Sequence, residues 1–334
     1  MTGPRLPTAR GEVSAGLLSA LRDGELRRPP PGALDPYGDD LQLALYLLYE
    51  LHYQGFEGVA EDLEWDPGLL ALRRTLERRF LAALRADVPP HADAGQALAA
   101  LLVEPVGPDD TSVSHYLRRE GELWQLREYA VLRSLYHLKE ADPHAWVIPR
   151  LRGRAKAAMV AVEFDEFGAG RADEIHARMF ADLMGDLDLE PAYGHYLEQA
   201  PAEALATVNL MSLFGLHRAL RGALVGHFAT VEVTSPPDSR RLAAALRRTG
   251  AGAAAQRFYD EHVAADAVHE QVVRRDVVGG LLASEPHLEA DVAFGVHATG
   301  FLEDRLGDRL LRTWRRRRSA LRVPLPDGEG RRTS

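Results

Sequence analysis

The sequence predicts an all-α protein, a bundle of helices carrying an N-terminal helical extension. Ala, Leu, Arg and Glu dominate, and β-branched clusters are few. Gly and Pro breakers cut the chain into pieces of helical length. Apolar residues make up 46% of the 334, enough for a large core, and the 27% of charged residues suits a solvated surface.

Residues 1–38 hold two Pro-rich patches, including Pro29-Pro30-Pro31, and read as a segment that wraps the surface or stays mobile. Helices are expected at 40–54, 67–86 and 92–103, the last stopped by Glu104-Pro105-Val106-Gly107-Pro108. The regular second half predicts helices at 112–140, 149–167, 172–185, 202–216, 216–233, 236–248, 252–278 and 288–318. Thr234-Ser235-Pro236-Pro237 reads as a helix start, with Ser as cap and Pro where no donor is needed. The expected division is an all-α extension over 1–109, a bundle over 110–320 and a flexible tail over 321–334.

The absence of cysteine excludes disulfides, thiolate metal sites, iron–sulfur clusters and a Cys nucleophile. A net charge of −9 argues against a nucleic-acid binder. Arg315–Arg318 and Arg331-Arg332 read as a solvated helix end and a loose tail. The N-terminus lacks the apolar stretch of a secretion signal, and no run is long enough to cross a bilayer, so a cytoplasmic protein without a membrane partner is expected.

The most informative motif is His262, Asp266 and His269, at i, i+4 and i+7. On a helix this spacing stacks three side chains along one face. Two imidazoles and a carboxylate there suit a divalent metal such as iron, although a solvated polar stripe has the same pattern. Four further residues interrupt apolar stretches. Glu166 and His176 are ten residues apart, a rotation of about 280° on an ideal helix. They align only if the chain bends at Gly168 and Gly170. Glu232 closes a strongly apolar run, where an unpaired carboxylate is costly. Glu140 stands at a helix end. Read singly, Glu140 also fits a surface ion pair with Lys139 or Arg133, His176 a core histidine, and Glu166 a solvated acid like Asp165.

Taken together, Glu140, Glu166, His176, Glu232, His262, Asp266 and His269 follow each other at gaps of 26, 10, 56, 30, 4 and 3. In this order the chain resembles the haem-oxygenase-like diiron oxidases and oxygenases, over about residues 110–320. Its spacing is similar to that of the seven-ligand members that hydroxylate nitrogen, in which Glu166 corresponds to the additional carboxylate. The resemblance implies a haem-oxygenase-like bundle in which all seven residues bind two iron ions. It implies an N-terminal region used for homodimerisation, O2 as co-substrate and an external electron donor. It also implies a peroxo-diferric intermediate that hydroxylates the nitrogen of a small molecule such as an amine or amino acid. There is no room for the cupin domain attached to one known relative, which puts any later rearrangement in doubt.

Charge supports the same set: four carboxylates neutralise two Fe²⁺ ions while three neutral imidazoles add nitrogen donors. Glu232 is the expected bridge. A ferritin-like site needs paired Glu-x-x-His motifs, for which Asp173-x-x-His176 is only a partial substitute. The rival functions are carbon–carbon cleavage or desaturation of an amino or fatty acid, a non-catalytic metal-binding or interaction bundle, and haem binding through one His. Around the ligands, Tyr136, His137 and Lys139 are placed to orient them, touch substrate or simply pack. Phe167, Met179 and Phe180 suit an apolar pocket or the core. Arg150, Arg152 and Arg154 suit a carboxylate substrate or a solvated face. His144, His227, His287 and His297 carry no pattern.

Overall fold

Helix is the only regular secondary structure among the residues described in the computed structural model: 3–24, 34–89, 93–103, 107 and 109–325. The side chains of Ala264, Asp266 and Ala267 lie outside that description. The helices are α1 (Glu12–Asp23), α2 (Asp39–Glu50), α3 (Pro67–Asp87), α4 (Ala94–Leu101), α5 (Val113–Arg119), α6 (Leu123–His137) and α7 (Asp142–Ala145). There follow α8 (Gly153–Glu166), α9 (His176–Asp186), α10 (Ala202–Leu216), α11 (Arg221–Thr249), α12 (Ala253–Val272), α13 (Gly279–Ser284) and α14 (Glu289–Trp314).

Local chemistry sets several of the starts. Asp66 accepts the Leu69 N–H at 2.8 Å with Pro67 at the first helical position of α3. Asp93 caps α4 in the same way, and Ser112 caps α5. The helix expected over 112–140 is two helices, α5 and α6, broken at Glu120-Gly121. A Cβ on Gly121 would come within 2.7 Å of the Leu117 Cα, so the chain turns tightly there. The N-terminal segment expected to wrap or move contains α1 and a bound strap. Thr8 donates twice to Glu198, at 2.8 and 2.6 Å, and Arg10 donates to the Leu197 and Ala200 carbonyls.

Every residue from Leu41 to Glu50 of α2 is buried, as expected of a helix surrounded by protein. It packs on α1, α3 and α10, and Asn209 of α10 donates to both carbonyl oxygens of Gln42. One hydrophobic core runs from Val13 to Leu321.

The predicted helix start at Thr234-Ser235-Pro236-Pro237 is incorrect. α11 passes through both prolines without ending. Each proline withholds a hydrogen bond from the carbonyl four residues earlier, here Glu232 and Val233, which ordinarily kinks a helix. Packing overrides that cost. Gly222 to Thr230 are all buried, and α11 lies against α12 and α14. A Cβ on Gly226 would sit 2.0 Å from the Val292 carbonyl oxygen, and one on Gly295 2.0 Å from that of Ala223, so α11 and α14 cross in backbone contact. The helix expected over 252–278 runs on without a break: α12, to Val272, passes through a π-helical segment, Val273–Val278, into α13.

Arg315–Arg318 are exposed, as expected of a solvated helix end. Pro29-Pro30-Pro31, Arg331-Arg332 and the expected tail from 326 onward lie outside the described residues. No helix among those described is long and apolar enough to cross a membrane.

Candidate metal centre

Six of the seven expected residues converge in the bundle interior, from five segments of chain. Glu140 stands in the turn between α6 and α7, Glu166 ends α8, and His176 begins α9. Glu232 lies on α11, and His262 and His269 lie two turns apart on α12. All six are 3–6% exposed, a degree of burial at which isolated charges are not tolerated. The backbone of Asp266 lies on α12 between the two histidines; its side chain is outside the described residues.

Glu166 Oε2 lies 2.7 Å from His176 Nδ1. The glycines between them act as the rotation argument requires, by reversing the chain rather than bending one helix. Gly168 and Gly170 have φ of 73° and 84°, where glycine alone is unstrained, and Ala169 follows at 50°. A Cβ on Gly168 would lie 2.7 Å from the Glu174 carbonyl carbon.

The donor atoms fall into two overlapping groups, each with its atoms within 4.8 Å of one another: Glu140, Glu166, His176 and His262, and Glu166, Glu232 and His269. Glu166 belongs to both. Glu232, the bridge expected from the sequence, belongs to one, with an oxygen 3.5 Å from His269 Nδ1. The end of α8 instead places Glu166 between His176 and His269, whose Nδ1 is 3.6 Å away.

Hydrogen bonds orient the imidazoles. His262 Nδ1–H donates to the Phe258 carbonyl at 2.7 Å, which in the neutral ring would leave the Nε2 lone pair for a metal. That atom is buried without a hydrogen-bond partner among the described residues and faces Glu140 Oε1 at 4.0 Å. Two acceptors facing each other at this distance fit a shared cation, since imidazole and carboxylate ligands bind at about 2 Å. With nitrogen and oxygen donors and no thiolate, the set fits iron. His269 Nε2 lies 3.2 Å from Asp165. His137 Nδ1 lies 2.9 Å from the outer oxygen of Glu140 and fixes that carboxylate.

Charge is strongly redistributed. Burial alone would raise the Glu140 carboxyl, yet His137, His262 and His176 hold it down at about 2. Burial likewise opposes charge on His269, but Glu232, Asp165 and Glu166 hold it up at about 9. Glu163 is pushed up to about 9 by burial and then by Glu166, Glu232, Asp142 and Glu140, so it is a neutral acid at pH 7. The sequence reading passed over Glu163 and took Asp165 as merely solvated. Glu163 had one available signal, its position three residues before Glu166, on the same helix face.

The remaining candidates separate by contact. Lys139 points away from the centre, donating to Glu50 at 2.8 Å beneath the rings of Tyr46 and Tyr53. Tyr193 Oη donates to the other Glu50 oxygen. Phe180 is fully buried against His137 and Phe258, whereas Met179 lines a cleft beside His176 and His269. Arg150 donates to the Gly215 and Leu216 carbonyls at the C-terminus of α10, and Arg154 pairs with Asp276.

A cavity of about 40 Å³ lies among Glu140, Glu166, Glu232 and His262. Tyr136, His137 and His262 wall both it and a larger chamber of about 370 Å³ between α6, α11, α12 and α14. A family model described as iron-containing redox enzyme matches residues 127–303, more than half of the chain and inclusive of all seven expected ligands. No curated protein sequence matches the chain.

Proposed function

The chain belongs to the family of iron-containing redox enzymes, with an all-α, haem-oxygenase-like fold, and from that premise we propose that it is a non-haem diiron oxygenase hydroxylating the nitrogen of a small amine. The observation that carries the reading is the pair of buried donor groups sharing Glu166. In this assignment Glu140, Glu166, His176 and His262 hold one iron, Glu166, Glu232 and His269 the other, and Asp266 completes the set. Held there, two irons would supply the electrons for O2 reduction, with an external donor to restore them.

The protein's part is to set charge, orientation and access. Glu140, Glu166, Glu232 and Asp266 balance two Fe²⁺ ions. Phe258, Asp165 and His137 fix His262, His269 and Glu140. The chamber beside His262 suits a small substrate. Among its described lining acids, Glu303 grips Arg133 with two hydrogen bonds of 2.9 and 2.6 Å and Asp238 pairs with Arg241 at 3.1 Å, which leaves Asp304 in excess. That balance supports an amine over a fatty-acid carboxylate.

Anaerobic Fe(II) titration followed by O2 in the presence of primary amines or fatty acids tests the reading. Two irons per chain and an amine product heavier by one oxygen are expected. Binding of far less than two irons, or oxidation of the fatty acids alone, refutes it.

A further inference from the structure

The chamber beside the metal cavity is uneven in charge along its length. Its inner end is the wall of Tyr136, His137 and His262 that it shares with the cavity. Asp304, on α14, lines the chamber and is exposed, which places it at the outer mouth. The helix α6 gives the scale. Arg133 stands one turn before His137, a rise of roughly 6 Å, and both line the chamber. Arg133 in turn holds Glu303, the neighbour of Asp304 in sequence. The other charges of the wall are engaged. Arg133 donates to Glu303 from both Nη atoms, with its guanidinium 5.1 Å from the centre of the Tyr129 ring. Asp238 accepts from Ser114 at 2.6 Å and from Arg241 at 3.1 Å. His227 is lowered to about 4 by burial and is neutral at pH 7. Arg305, beside Asp304 in sequence, lies over the rings of Tyr37 and Phe301, at 4.5 and 5.6 Å. Burial raises the Asp304 carboxyl, and Asp308 and Glu303, both acids, raise it further.

The place of that acid matters for amine chemistry. An amine is hydroxylated through its nitrogen lone pair, which the ammonium form lacks. A carboxylate beside the reacting nitrogen favours the ammonium form, because an opposite charge stabilises the charged state. The carboxylates of the centre itself are taken up by the irons in the assignment above. Asp304 stands instead about one turn out from the wall that meets the cavity, and so fits a different nitrogen from the one that reacts. We propose that the chamber selects an amine with a second cationic group and no carboxylate, a short diamine, and that Asp304 sets this preference by taking the distal ammonium. This selectivity rests on the amine-oxygenase reading above. The inner nitrogen reaches the cavity beside His137 and His262, and the alkyl chain between the two nitrogens lies along Met211, Leu242 and Leu302. A substrate carboxylate finds no partner at the mouth, because Arg133 is held by Glu303 while Asp304 repels it.

Binding calorimetry on the full-length protein tests this, both metal-free and loaded with Zn(II), which takes nitrogen and oxygen donors without redox chemistry. The probes are cadaverine, pentylamine, which lacks its second nitrogen, and lysine, which adds a carboxylate to it. Cadaverine is expected to bind about tenfold more tightly than either. Asp304→Asn should reduce cadaverine to the affinity of pentylamine with Tm unchanged, and Asp304→Glu should keep the preference. Equal affinities for cadaverine and pentylamine, lysine binding as tightly as cadaverine, or a preference that survives Asp304→Asn overturns the proposal. Failure to bind metal, or to oxidise cadaverine once iron is loaded, counts against the diiron reading, while calorimetry on the metal-free protein still decides the role of Asp304.

Discussion

His176 Nδ1 lies 2.7 Å from Glu166 Oε2 because the chain between them reverses at Gly168. Neither residue is on a helix that could bring the other into place. A Cβ at Gly168 meets the Glu174 backbone and requires a left-handed conformation. Gly168→Ala is therefore expected to cost about 1–3 kcal/mol in urea unfolding. It should also weaken the first iron by tenfold or more in Fe(II) titration, while the site beside His269 still fills.

Glu166 and Glu232 differ in how many donor groups they join. Glu166→Ala should remove both irons, and Glu232→Ala only the one beside His269. Metal analysis after anaerobic loading distinguishes them. Retention of one full equivalent by Glu166→Ala would contradict the shared position.

The metal-free protein should have a characteristic pH profile. Glu140 is held at about 2 in the fold against roughly 4.3 unfolded, so its contribution is complete above about pH 5 and lost as pH falls towards 2. His269 is raised to about 9, so its contribution is complete below about pH 6.5 and lost as pH rises through 9. Glu163 stays protonated to about 9 when folded but ionises near 4.3 when unfolded, so it favours unfolding increasingly between those values. Calorimetry should show Tm falling on the alkaline side, less steeply in Glu163→Gln, which cannot ionise.

Lys139 neighbours Glu140 in sequence but serves Glu50. Lys139→Met leaves Glu50 buried without its cation and should cost about 3–5 kcal/mol by denaturant titration. Iron stoichiometry in the surviving folded protein should be unchanged. A loss of iron without a loss of stability would return Lys139 to the metal centre.

The sequence alone determined the helical class, most helix positions and the seven residues to examine. Helix propensity is local, and the two-turn spacing of His262 and His269 is a property of one helix. It also marked Gly168 and Gly170 as the place where the chain must depart from a straight helix. Only the tertiary structure decided what several segments determine jointly. Pro236 and Pro237 read as a helix start, yet burial of α11 against α12 and α14 carries the helix through them. Glu232 read as the bridge, while the residue common to both donor groups is Glu166, at the end of α8. Glu163 read as nothing, because its neutrality arises first from burial and then from Glu166 together with carboxylates on other segments. His144 and His227, 83 residues apart, carried no pattern because a hydrogen bond between two helices leaves no periodic trace in the chain.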